Sequence, residues 1–253
     1  MTARFFLEDP AEFSREASIT QTHNPDVFHH LKDVLRARAG DQVELVAQGA
    51  AYLASVSDLT VDRIKFQSIT AIAKNPEMPK KITLVLPLLK SDHLDWLIQK
   101  ATELGCGQII LTNFVYSVAQ ASKIDRKLPR WKKIIKNAAE QSHRLVLPDL
   151  SFQKDYLQTV RLSASQIGLV AWEESAKSGE TSNLHASLQK AAQNPAISEL
   201  VAVLGPEGGI SRNEIALLQN AGFICVGLGP RILRAETAPL YLLSAASLLI
   251  ELS

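Results

Sequence analysis

The chain has 253 residues, 46% hydrophobic and 21% charged, enough for one large globular domain or two of ordinary size with a real buried core. Its formal net charge is +1, and no run approaches the roughly 20 apolar residues that span a bilayer, so a membrane-spanning helix is not expected. The start, MTARFFLEDP, carries one arginine and no long apolar core, which argues against a secretory signal. Cys106 and Cys225 lack metal-ligand spacing and read as two buried thiols in a reducing, cytoplasmic setting.

The near-zero charge hides an asymmetry. Residues 1–73 hold 7 Lys/Arg against 10 Asp/Glu, whereas residues 74–253 hold 20 against 16. A weakly basic second part is compatible with a nucleic-acid partner without demanding one.

In chain order, RFFL (4–7) is a short strand candidate, and residues 25–38 carry a helical pattern through Val27, Leu31, Val34 and Leu35. AGDQVELVA (39–47), AAYLASV (50–56) and RIKFQSITAIA (63–73) alternate as strands, with Val43 and Leu45 on one face. Short strands at close spacing predict a small β-barrel over residues 1–73. KNPEMPKK (74–81) has the prolines and lysines of a linker.

From residue 82 the rhythm becomes strand, then helix. ITLVLPLL (82–89) suits a strand buried on both faces. SDHLDWLIQKATELG (91–105) places Leu94, Leu97, Ile98, Ala101 and Leu104 at helical spacing, with Ser91 as a candidate N-cap and Gly105 as the stop. QIILT (108–112) is a strand, and DRKLPRWKKIIKNAAEQSHR (125–144) a helix with Pro129 expected in its first turn. GLVAW (168–172), ELVAVLG (199–205) and FICVGLG (223–229) are buried strands. Ser211 and Glu214 form a capping box for the helix between the last two. TAPLYLLSAASLLIEL (237–252) is apolar almost all round, a buried or subunit-interface helix with Thr237 as N-cap. The alternation predicts an α/β domain with a parallel, doubly wound sheet over residues 82–253 and ligand loops at strand C-terminal ends.

Two loops stand out. LGPEGGIS (204–211) carries Gly205, Gly208 and Gly209, which open unusual backbone conformations and close ligand approach. Its spacing matches neither the dinucleotide fingerprint nor a Walker phosphate loop, so NAD and ATP lose weight. A plain strand-to-helix turn explains it equally well on its own. GLGPRILRAETAP (227–239) brings Arg231, Arg234 and Glu236 to a helix start, where solvated surface charge is the simpler reading for one isolated loop. Two such loops in one sheet favour a ligand site. A third feature is a basic cluster, Lys123, Arg126, Lys127, Arg130, Lys132, Lys133 and Lys136, against the single acid Asp125. It is either a solvated helix face or a phosphate track. No serine-nucleophile elbow, H-E-x-x-H or zinc spacing occurs, so no metal is implied and group transfer from an activated donor fits better than covalent catalysis.

LGPEGGIS with GLGPRILRAETAP closely resembles the RsmE family, the SPOUT-class methyltransferases that modify N3 of a uridine in small-subunit ribosomal RNA. QKATELG (99–105), AAEQSHR (138–144), VAWEES (170–175) and RFFL extend the likeness over essentially the whole chain. The resemblance implies S-adenosylmethionine as donor and an N-terminal PUA-like RNA-binding barrel. It also implies a trefoil-knotted α/β domain, a cytoplasmic homodimer paired through that C-terminal domain, and no membrane. It places the cofactor on Val170, Ala171, Leu204, Gly205, Glu207, Gly208, Gly209, Leu228, Gly229, Ile232, Leu233 and Thr237. Arg234 or Arg144 would stabilise anionic charge on the target base, and Glu236 or a water would take its proton. Arg4, His30, Arg36, Arg38, Lys90, Lys123, Arg126, Lys127 and Arg130 are the RNA-contact candidates. Tyr116 and Gln120 depart from the family pattern, standing where it has arginine and lysine. Two alternatives stay open: a SPOUT enzyme acting on another RNA or on ribose 2′-OH, and a non-catalytic RNA-binding assembly factor.

Overall fold

The computed structural model describes residues 2–7, 16–117, 124–177 and 182–252. Two compact units emerge, Met1–Glu77 with Ala139–Val146, and Met78–Ala138 with Leu147–Ser253. The division falls inside the stretch 74–81, and the first unit takes in residues 139–146, which the sequence pattern leaves in the second. The reason is packing: Ala139 and Leu145 bury against Phe6, Val46 and Ala51.

Among its described residues the first unit carries a five-stranded sheet and a helical segment at 25–34. Its strands are β1 (Arg4–Phe6), β2 (Glu16–Thr20), β3 (Gln42–Ala47), β4 (Ala50–Leu59) and β5 (Arg63–Ile72), in the order β1-β3-β4-β5-β2. β1 runs parallel to β3, and the remaining pairs are antiparallel. Period-2 alternation sets the faces. On β5, Ile64 and Phe66 are buried while Arg63, Lys65 and Gln67 are exposed. Val43 and Leu45 point inward as their spacing predicts. Gln48 and Gly49 both have positive φ, 52° and 75°, the geometry of a two-residue hairpin turn between paired Ala47 and Ala50. The helical pattern at 25–38 resolves into α1 (Pro25–His29) and a π-helical turn (His30–Val34), with Val27, Phe28 and Leu31 in the core. Strand β2 carries no long alternation, and the sequence pattern misses it.

The second unit is built on a six-stranded sheet of β6 (Lys81–Pro87), β7 (Gln108–Thr112), β8 (Asp149–Phe152), β9 (Gln166–Ala171), β10 (Glu199–Leu204) and β11 (Ile224–Val226). Every pairing in it is parallel, and the order is β11-β9-β10-β6-β7-β8. Both faces are covered. Leu200, Ala202 and Leu204 of β10 join one apolar cluster, and Val201 and Val203 join another. That is why these strands are apolar without a break. The helices are α2 (Ser91–Glu103), α3 (Ile124–Gln141), α4 (Tyr156–Thr159), α5 (Glu173–Lys177), α6 (Asn183–Gln193), α7 (Arg212–Asn220) and α8 (Thr237–Ile250). β8 and α6 are further elements the pattern misses.

Local signals are partly confirmed. The capping box closes α7, with Ser211 N–H donating to Glu214 Oε2 at 2.9 Å and Glu214 N–H donating to Ser211 Oγ at 3.3 Å. Ser91 and Thr237 are not N-caps but the first helical residues: the N-caps are Lys90 and Glu236, neither with a side-chain cap hydrogen bond. Pro129 lies beyond the first described turn of α3. Cys106 is buried, but Cys225 is only half-buried. Among the described residues no helix is long and apolar enough to cross a membrane.

Candidate active site

Three strand ends build the cleft. Leu204 of β10 and Val226 of β11 both stand in register with Ala171 of β9, so the chain leaves all three strands at one level. The two glycine-bearing loops are therefore in one sheet but not on neighbouring strands. They flank β9, and the segment after it, Trp172–Glu173, lies between them. Trp172 N–H donates to the Val226 carbonyl at 3.1 Å, stitching that segment to the second loop.

A cavity of about 540 Å³ opens among these loops, in the size range of small-molecule sites. Of the residues expected to hold a cofactor, Ala171, Leu204, Gly205, Glu207, Gly209, Leu228, Gly229, Ile232 and Leu233 line it. Val170, Gly208 and Thr237 do not, each for a local reason. Val170 is fully buried in the sheet. At Gly208, an added Cβ would fall 2.8 Å from Cβ of Tyr116, so this glycine backs onto the loop after β7. Thr237 is exposed, and its N–H closes the helix-start turn on the Arg234 carbonyl at 2.9 Å.

The lining suits a ligand with apolar and polar parts. Gly209 has φ +78° with nothing within 4 Å of where a Cβ would stand, so its backbone faces open space. Gly229, at φ +87°, is held by the same left-handed preference. Leu204, Ile210 and Leu228 supply apolar wall, and Glu173, Glu207 and Glu236 supply carboxylates. Arg231 and Arg234 add two cations, both exposed at the mouth. The geometry thus fits a cofactor with a flat apolar ring and a cationic amine, held largely by backbone.

His93, on the first turn of α2, also lines the cleft, and its Nδ1 stands 3.4 Å from Oε1 of Glu236. No sequence signal pointed to His93, because it belongs to a helix start far from either loop. Trp172 and Glu173 were visible only as part of VAWEES.

Glu214 ties the rim together. Its Oε1 accepts from Val115 N–H at 2.8 Å while its other oxygen serves the α7 cap. The loop carrying exposed Tyr116 is thereby fixed to the loop that carries Gly208.

Two of the expected arginines are buried in ion pairs. Arg144 is 4% exposed and belongs to the first unit, where its Nε donates to Glu77 Oε2 at 3.0 Å and its Nη2 to the same oxygen. It is a buried ion-pair partner, not a free cation for a substrate. Arg4 is similarly withdrawn. Its side chain is 5% exposed, pairs with Glu44 at 2.7 Å and donates to the carbonyls of His143 and Arg144. It holds β1 and β3 to the 139–146 segment.

The remaining RNA-contact candidates sit at the surface. Arg36, Arg38, Lys90, Arg126 and Lys127 are exposed, and exposed His30 packs its ring edge-on against Phe5 with centroids 5.4 Å apart. Arg130 pairs with Asp95, which also accepts from Trp131 Nε1 at 2.9 Å. Lys123 and Gln120 lie outside the described residues. Tyr156 has its phenol pushed up to about 12 by burial and then by the Glu199 charge. Tyr156 does not line the cleft, so this phenol is no candidate for the chemistry.

Comparison with known proteins agrees with this architecture. An RNA methyltransferase domain model matches residues 76–247, and an RNA methyltransferase PUA domain model matches residues 24–67. The ribosomal RNA small subunit methyltransferase E of Bacillus subtilis (strain 168) is 37% identical over 98% of this chain and 97% of its own length. A crystal structure of the Neisseria gonorrhoeae ribosomal RNA small subunit methyltransferase E, bound to S-adenosyl methionine, superposes with a TM-score of 0.79 at 28% identity, covering 98% of each chain. A Legionella pneumophila methyltransferase solved with its bound cofactor gives 0.77 at 25% identity, over 98% of this chain and 97% of that one. With its two domain models, its five-stranded sheet and its parallel six-stranded sheet, the chain belongs to the ribosomal RNA small subunit methyltransferase E family.

Proposed function

We propose that this protein transfers a methyl group from S-adenosylmethionine to N3 of a uridine in small-subunit ribosomal RNA. The observation that carries the proposal is the cleft at three in-register strand ends, lined by the residues of both signature loops. Leu204, Gly205, Gly209, Leu228, Gly229 and Leu233 would hold the donor, largely by backbone, with Ala171 as a further wall. The donor supplies a methyl group already activated on a sulfonium. What remains for the protein is alignment and charge.

Loss of the N3 proton leaves anionic character on the uridine carbonyl oxygens. Arg234, exposed at the mouth of the cleft, is placed to stabilise it. Glu236, whose side chain is 14% exposed on the cleft wall, directs the departure of the proton. Lys90, Arg126 and Lys127 would meet RNA phosphates from this unit, and His30, Arg36 and Arg38 from the PUA domain.

The protein would act in the cytoplasm as a homodimer through α8. Tyr241, Ser244 and Leu248 form one exposed stripe along that helix, with Tyr241 41% and Leu248 62% exposed. Static light scattering would show twice the chain mass, and a monomer under dilute conditions with full activity would remove the dimer from the proposal.

The reading is tested by digesting small-subunit RNA from a deletion strain, re-methylated with purified protein and labelled donor. The expected product is 3-methyluridine. Label in a 2′-O-methylated nucleoside would favour the ribose alternative, and no donor binding by calorimetry would favour the assembly factor. A milder prediction concerns Gly209→Ala. Its positive φ makes any side chain cost about 1 kcal/mol in the folded chain. The new methyl enters the cleft, so donor affinity should fall about tenfold, a loss of roughly 1.4 kcal/mol. Calorimetry and a thermal melt on the same sample separate the two effects.

A further inference from the structure

Resting on that reading, the unassigned step is where the N3 proton goes. Four titratable side chains able to accept a proton line the cleft: Glu173, Glu207, Glu236 and His93. Glu173 and Glu207 are exposed. Glu236 and His93 face each other, Oε1 to Nδ1, at 3.4 Å.

Both members of the pair stand on fixed supports. His93 is the third residue of α2, whose Leu94, Leu97 and Ile98 are at most 1% exposed. Glu236 is the N-cap of α8, and its turn is closed by the Thr237 and Ala238 N–H groups on the Arg234 carbonyl at 2.9 and 3.0 Å. The pair therefore joins the start of one helix to the start of another, beside the arginine that meets the developing charge. The His93 side chain is 45% exposed, so the imidazole is open to a substrate, while the carboxylate behind it is 14% exposed.

The geometry points to His93 as the proton acceptor for uridine N3, with Glu236 as the residue that positions it. A neutral imidazole with its Nδ1–H directed at the carboxylate carries its free electron pair on Nε2. Carboxylates ordinarily titrate near about 4.3 and imidazoles near about 6.5, so imidazole is the stronger base at neutral pH and the better match for a reluctant proton. Nε2 takes the N3 proton. The N3 electron pair forms the new bond to the methyl carbon as the carbon–sulfur bond breaks. Its electron pair stays on sulfur, converting the sulfonium to a neutral thioether. The imidazolium left behind is balanced by Glu236 and returns its proton to solvent.

Other charges bear on the pair. Glu173, Glu207, Arg231 and Arg234 line the same cleft, and Lys90 and Asp92 flank His93 in its own chain. Substitutions at His93 are therefore read against pH rather than at one pH alone.

The test uses the full-length protein, saturating donor and small-subunit RNA in single turnover. For His93→Ala, the methylation rate should fall about 100-fold, the lower range for a lost general base. Donor affinity should stay at the wild-type level, and added imidazole should restore much of the rate. His93→Lys keeps a cation beside Glu236 but offers no base at neutral pH, so it should be as slow as His93→Ala. The wild-type rate should rise with pH and then level, and both variants should lose that limb. A His93→Lys variant near the wild-type rate would overturn the inference, because the side chain would then serve only as a charge. So would an alanine variant at full rate, or one that imidazole does not rescue. Failure of the wild-type protein itself to methylate uridine would instead sink the functional reading beneath it.

Discussion

Arg234→Ala is expected to slow single-turnover methylation by about 100-fold or more, the usual consequence of removing one donor aimed at developing charge. S-adenosylmethionine should still bind, because the Arg234 side chain is exposed at the cleft mouth while its backbone carbonyl, which the substitution keeps, anchors the start of α8. That split between binding and rate is the informative part. A variant that loses donor binding and rate together would make Arg234 a cofactor residue. Rapid-quench transfer of labelled methyl, with calorimetry on the same preparation, gives both numbers. Arg231 is the internal control: it lines the same cleft and is also exposed, and its alanine variant should change the rate far less.

Glu77→Gln should destabilise the first unit by about 3 kcal/mol, the lower end for breaking a buried ion pair by removing one partner. Arg144, 4% exposed, would keep its charge but lose the Glu77 carboxylate beside it. The Glu77 carboxylate also accepts from Leu145 N–H at 2.7 Å and Val146 N–H at 3.2 Å, so one side chain organises the whole turn after α3. Burial pulls its pKa upward. The Arg144 hydrogen bond, the two backbone N–H groups and the Arg144 charge outweigh that and hold it below the ordinary 4.5. A depressed folded-state pKa stabilises the protein above the unfolded value, and that stabilisation is lost as pH falls through the folded one. Urea titrations of the wild type should therefore weaken below pH 4.5, and the glutamine variant should lack that component of the acid slope.

Much of the local structure was legible because it rests on short-range rules. The capping box at Ser211 and Glu214 follows from residue type and spacing alone. The unbroken apolar runs of β6 and β10 follow from a sheet covered on both faces. Periodicity carries no strand order, however. Nothing in FICVGLG shows that β11 pairs with β9 rather than β10, so the placement of Trp172 and Glu173 between the two loops was out of reach. The same limit hid His93, which reaches the cleft from a helix whose own pattern describes only its buried side. Arg4 and Arg144 mislead for a related reason. An arginine in sequence is a cation with an unknown partner, and Glu44 and Glu77 claim these two through contacts far along the chain. Within the cofactor set, Val170 and Gly208 show that a motif marks a neighbourhood, while the pleat of a strand or the back of a turn decides which member lines the cleft.

The strand order also bears on how the molecule comes into being. β10 pairs with β6 on one side and β9 on the other, and only then does the chain return past β9 to form β11. Parallel pairings of this separation are slow to find, since each must close a long loop before any contact compensates the lost entropy. The cleft cannot exist in a partly assembled sheet, because two of its three walls begin at the last two strands in the chain. The ability to bind donor should thus appear in the final kinetic phase of refolding, after the secondary structure and after the first unit. A ligand that recognises only that finished arrangement would draw late intermediates forward by mass action.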